Sequence, residues 1–113
     1  MSDYRVERGA GAGMSPEAMR AQLETEGYEA YEWGDAPGAL YPFHEHGTEQ
    51  SHWIISGSIE LNVEGHGTFV LEAGDRDLMP AGTRHSARVT GRSPVRYLIG
   101  ERAPSGRRLD QSY

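Results

Sequence analysis

An all-β sandwich or jelly-roll barrel, preceded by one short helix, is the fold class this sequence predicts. Three observations carry it. Ile59, Leu61 and Val63 alternate with Glu60, Asn62 and Glu64, the period-two pattern of a half-buried strand. About eight strand-like segments recur at short, regular intervals between turn residues, the spacing of a sandwich or closed barrel. The 113 residues include 15 glycines and 6 prolines at only 36% hydrophobic content, which suits short strands and tight loops better than a helical bundle.

The elements follow in order. Residues 1–13 are polar and end in Gly9-Ala10-Gly11-Ala12-Gly13, which predicts a flexible leader. They hold no apolar stretch of the kind a signal peptide needs, so a cytoplasmic location is expected. Ser15-Pro16-Glu17 reads as a helix start, with Ser15 as N-cap and proline at the first helical position. That helix, within residues 14–27, runs to Glu26 and stops at Gly27. Met19 and Leu23 lie four apart and form a narrow apolar stripe, enough to dock on a sheet.

Residues 28–100 then read as the barrel. Strands are predicted at Tyr28–Trp33, Leu40–His46, His52–Ser56, Ile59–Val63, Thr68–Leu71, Asp77–Met79, His85–Val89 and Val95–Gly100. Gly65-His66-Gly67 is the hairpin turn between the fourth and fifth of these. Residues 101–113 are polar and arginine-rich, a tail expected to be disordered.

The chemistry lies in two spaced histidine patterns. The first runs Gly38, His44, Glu45, His46, Gln50 and Gly57; the second runs Gly74, Pro80, Ala81, Gly82 and His85. Residues two apart on a strand share a face, so His44 and His46 are expected side by side, with Leu40 and Pro42 continuing into the pocket. The turn residues Pro80 to Gly82 would aim His85 back at the same place. Neutral imidazole is the commonest metal-ligating side chain. These patterns resemble the two signature motifs of the cupin family, over roughly residues 28 to 100. Two positions depart from the family: Gln50 stands where cupins usually carry Glu, and Val89 where they usually carry Asn.

The resemblance implies a jelly-roll barrel binding one divalent transition metal (Fe, Mn, Ni, Zn or Cu) through His44, His46, His85 and a fourth group. Gln50 occupies the carboxylate's place and offers a neutral amide oxygen. His52, two residues on, shares its strand face and either completes the shell or serves as the pocket's acid or base. Three histidines and a glutamine carry no charge, so the ion would keep its full positive charge and attract an anionic ligand. The flanking residues have blander readings. His66 is an exposed turn residue, Asp75 and Asp77 are turn residues, and Arg84 and Arg88 point outward or reach an anionic substrate.

Composition narrows the function classes. Cysteine is absent, which removes thiolate ligands, disulfides and a cysteine nucleophile. A net charge of −6 argues against nucleic-acid binding, and no run is long and apolar enough to span a membrane. What remains is a small metal-dependent enzyme, oxygenase- or isomerase-like, acting on an anionic or aromatic small molecule. A non-catalytic ligand-binding or sensing barrel is the alternative. Trp53, Ile55, Tyr97 and Ile99 would form one apolar outer face, which predicts a homodimer unless the N-terminal helix covers it.

Overall fold

Strand-forming sequence with one-sided alternation must bury its apolar face twice over here, once between two sheets and once under a helix. The computed structural model describes residues 3–104 and contains β1 (Arg5–Glu7), α1 (Pro16–Thr25), β2 (Glu29–Asp35), β3 (Leu40–His44), β4 (Glu49–Ser56), β5 (Ser58–Val63), β6 (Gly67–Glu72), β7 (Arg76–Leu78), β8 (His85–Thr90) and β9 (Val95–Arg102). One sheet has the order β1-β7-β4-β9-β2 and the other β3-β8-β5-β6, all pairings antiparallel. No helix of the described residues is long and apolar enough to cross a membrane.

The first core lies between the sheets. Ile59 faces Leu71 on one side and Val89 on the other, and Leu61 likewise sits between Phe69 and Ala87. Ile54, Val95 and Tyr97 close the cluster from the opposite sheet. Cross-strand apolar pairs of this kind set the register, because a slip of one residue would turn every one of them to solvent. Gly57, between β4 and β5, has φ +79°, and a Cβ there would run into the Pro94 carbonyl. Only glycine accommodates both the conformation and the approach.

The second core lies on the outer face of the five-stranded sheet. Ser15 caps α1 as its sequence predicts, accepting from the Ala18 amide at 3.1 Å, and Gly27 follows with φ +92°. The helix lays Met19 and Leu23 over Trp53, Leu98, Ala30 and Tyr28. The indole of Trp53 donates to the Gly74 carbonyl at 3.1 Å and carries the Arg76 guanidinium 4.5 Å from its ring centre.

Three expectations change. The face predicted to drive dimerisation does not exist as an outer patch: α1 covers Trp53, while Tyr97 and Ile99 belong to the inner core. The homodimer loses its sequence argument because β9 places Tyr97 and Ile99 on the face opposite Trp53. The described part of the segment read as a flexible leader, from residue 3 on, is also tied down. β1 pairs with β7, the Tyr4 hydroxyl donates to Asp77, and Gly9 and Gly11 donate to Asp75 and to the Gly74 carbonyl. Glycine was read as freedom; here it permits close approach, since a Cβ at Gly11 would collide with the Trp53 ring. The predicted tail begins two residues late, because β9 runs on through Glu101 and Arg102; residues 105–113 lie outside the described residues.

Candidate metal centre

His44 ends β3, His46 follows in the loop, and His85 opens β8 directly opposite His44. Their ring centroids stand 4.3 Å (His44–His85), 4.9 Å (His44–His46) and 5.3 Å (His46–His85) apart. One ligating nitrogen from each lies within 4.8 Å of the others. The route to this cluster differs from the period-two expectation. β3 carries a bulge between Tyr41 and His44, which pair with Ala87 and His85, so three steps on β3 match two on β8. The bulge reverses parity, so Tyr41 lines the pocket while Leu40 is 69% exposed and Pro42 is exposed as well. His46, outside the strand, is held instead by its backbone: its carbonyl accepts from the Gly82 amide at 2.9 Å.

The donor set suits a divalent ion. A carbonyl only accepts, so Nδ1 of His44 donates to Pro42 at 2.7 Å and Nδ1 of His85 donates to Thr83 at 2.9 Å. With the proton held on Nδ1, each ring offers its Nε2 lone pair, the arrangement that ligating histidines use. Burial, reinforced by the neighbouring histidines against the pull of the Thr83 carbonyl, pushes His85 down to about 4. Burial, then the charges of His44 and His52, lower His46 as well. His46 and His85 are thus neutral imidazoles at physiological pH, placed where a cation rather than a proton can satisfy them.

This has a measurable consequence for the metal-free protein. Between about pH 6.5 and about pH 4 the unfolded chain binds a proton at His85 that the folded chain does not. Its contribution to stability is therefore complete above 6.5 and is lost as pH falls through that window. The denaturation midpoint of the apo protein should drop accordingly, by more in the wild type than in His85→Ala. Equal pH slopes in the two proteins would contradict the burial of a neutral His85.

Gln50 and His52 face the same cavity, of about 230 Å³, on alternate positions of β4. The Gln50 side chain donates through Nε2 to Glu101 at 2.8 Å, across the direct β4–β9 pair. His52 is bound through Nδ1 to Asp77 at 3.0 Å; the same carboxylate accepts the His52 backbone amide at 2.8 Å and the Tyr4 hydroxyl at 3.0 Å. Burial works against a charged His52, but the charge and hydrogen bond of Asp77, with Glu101 behind them, outweigh it and raise its pKa. Nδ1 is committed, which leaves Nε2 as the ring nitrogen available to the cavity. Tyr31, Trp33, Tyr41 and Tyr97 make an aromatic wall, with the Tyr41 and Tyr97 hydroxyls both donating to Asp35.

Sequence reasoning missed Asp77, Glu101 and this wall. Asp77 was read as a turn residue, yet it is fully buried and orients His52. Asp75 does serve the turn, accepting from the Glu72 amide. Parity on β4 placed His52 inward, but nothing in the spacing says which strand lies beside it. Arg88 pairs with Glu60 at 3.1 Å and Arg84 stacks 5.4 Å over Phe43. Neither lines the cavity. His66 stands in the turn after β5, within 4.0 Å of Asp3.

Two antiparallel sheets closing on three converging imidazoles define a small β-barrel with a cluster of side chains that could hold a metal ion. The chain belongs to the cupin family: the model of the cupin domain matches residues 31–100. It is 38% identical over 55 residues to the dimethylsulfoniopropionate lyase DddQ of Ruegeria pomeroyi, a stretch covering 49% of this chain and 27% of that protein. The crystal structure of that lyase superimposes with a TM-score of 0.62 at 32% identity, over 72% of this chain and 41% of the lyase. A Klebsiella pneumoniae protein with a double-stranded β-helix domain is 26% identical, covering 68% of this chain and 63% of its own, with a TM-score of 0.58. The oxalate decarboxylase of Lactobacillus farciminis, at 23% identity, 68% and 24% coverage and a TM-score of 0.60, shares the fold. This chain thus spans less than half the length of the lyase it matches.

Proposed function

We propose that this cupin is a small metal-dependent enzyme that moves a proton on a substrate held beside the metal, a lyase- or isomerase-like reaction. The observation behind this reading is the His52–Asp77 pair, which opens onto the cavity that also holds the three imidazoles. His44, His46 and His85 would hold one divalent transition metal, with Gln50 as the fourth protein group. Such an ion supplies polarisation of a substrate oxygen. His52 takes up or returns a proton at Nε2, and Asp77 holds the ring so that this nitrogen keeps its direction. The aromatic wall orients the rest of the ligand and excludes water. Among the described residues, no arginine lines the cavity. An anionic group would therefore meet the metal, while the remainder of the molecule meets aromatic rings and Glu101. The likeness to a dimethylsulfoniopropionate lyase supports the lyase form of the reaction.

Passive capture of a small apolar or aromatic ligand is the second reading, favoured by the same aromatic wall. An oxygenase reaction would need a redox metal. Protein purified without an affinity tag or chelator should contain one divalent metal per chain by elemental analysis. Incubated in D2O with dimethylsulfoniopropionate and a set of small oxo and hydroxy acids, it should eliminate or exchange a carbon-bound hydrogen of at least one, followed by NMR. His52→Gln should keep the metal and lose at least about 100-fold of that rate, the lower range for a proton-transfer group. Metal-replete protein inert towards every compound would favour capture.

A further inference from the structure

The cupin motif's carboxylate is absent at position 50, yet a carboxylate stands against that position from another strand. Gln50 and Glu101 are direct partners across β4 and β9, and Nε2 of Gln50 donates to the Glu101 carboxylate at 2.8 Å. Burial first, then the neighbouring Glu101 carboxylate, raises the pKa of Tyr31, which sets this β2 side chain beside the same group. Gln50 is 3% exposed, so bulk solvent does not compete for its amide. An ionised carboxylate can only accept, so the amide cannot be flipped: its NH2 faces Glu101 and its oxygen faces away. Glu101 and Gln50 both line the cavity of the three histidines, and the Glu101 charge is felt at His46 and His52.

We infer that Glu101 is a positioning residue for the metal centre: it turns the Gln50 oxygen towards the three imidazoles and supplies, one hydrogen bond removed, the negative charge that Gln50 lacks. This rests on the metal reading above. It also alters the expected result of restoring the usual glutamate. Considered at position 50 alone, Gln50→Glu adds charge beside the cation and should tighten binding. Set against Glu101, it places two carboxylates where one hydrogen bond now stands, and the metal-free protein should suffer. Exchanging the two residues keeps one amide, one carboxylate and one hydrogen bond, and puts the charge directly at the ligand position.

The test uses Zn2+ as probe, with affinity read by competition against a chromophoric chelator and apo stability by urea denaturation. Glu101→Gln should weaken Zn2+ binding about 10- to 100-fold, the usual effect of removing a group that supports a ligand. Gln50→Glu alone should lower the apo midpoint, and the Gln50→Glu, Glu101→Gln double variant should recover that midpoint and bind Zn2+ at least as tightly as wild type. A merely structural Glu101 would lower the apo midpoint in Glu101→Gln and leave the Zn2+ affinity at the wild-type value. Wild-type affinity in Glu101→Gln, an unchanged midpoint in Gln50→Glu, or a double variant no tighter than Glu101→Gln would each overturn the inference. A wild-type protein that binds no Zn2+ overturns the metal reading as well, whereas retained Zn2+ binding with a failed exchange overturns this inference alone.

Discussion

His46→Ala should lose divalent metal affinity by more than about 100-fold, beyond the 10- to 100-fold that loss of a supporting hydrogen bond costs. The imidazole is one of only three whose nitrogens converge within 4.8 Å in the described residues. The substitution spares the fold, because what anchors residue 46 is its carbonyl, which accepts from the Gly82 amide whatever the side chain. His46 is also half-buried rather than core, so the metal-free variant should unfold close to the wild-type midpoint. Chelator competition and elemental analysis on the same sample separate the two effects. Full stoichiometry with unchanged affinity would remove His46 from the ligand set and leave the three-ring cluster without its proposed purpose.

Trp53→Ala should be the most destabilising single truncation, by about 3–5 kcal/mol, the range for a large aromatic removed from a core. Trp53 is 2% exposed and is the largest of the fully buried side chains. Its loss opens a cavity beneath α1, leaves the Gly74 carbonyl without the indole donor and strips the Arg76 guanidinium of its ring. Since one domain of this size has about 5–15 kcal/mol of stability in all, the variant should melt more than about 10 °C lower. A smaller, parallel loss in Met19→Ala would show that the helix is the cover. A change under about 1 kcal/mol in Trp53→Ala would mean that the helix does not hold its place on the sheet.

Sequence and structure agree most closely where a local rule decides. Ser15 and Pro16 mark the helix start because capping is settled within one turn, and Ile59, Leu61 and Val63 mark β5 because alternation is settled within one strand. The fold class followed from such elements repeated along the chain, and the family resemblance from residues at fixed spacings. Agreement ends where a side chain's neighbour comes from a distant strand. Tyr41 reaches the pocket only through a bulge that no spacing announces, and the reversal excluded Leu40 and Pro42. Tyr97 and Ile99 had a correct strand but the wrong face, since parity tells which residues go together and not which way they go.

The amino-acid order by itself determined the barrel class, the capped helix and the three histidines, because each is written in residues a few positions apart or in spaced motifs. Tertiary structure alone decided which polar groups those histidines share a cavity with. Asp77 reaches His52 from β7, Glu101 reaches Gln50 from β9, and Asp35 gathers Tyr41 and Tyr97 from β3 and β9. Each of these contacts joins residues on different strands, and cross-strand register is set by the packing of both cores at once. A hydrogen bond between such residues exists only after that packing is complete, which is why no local pattern records it.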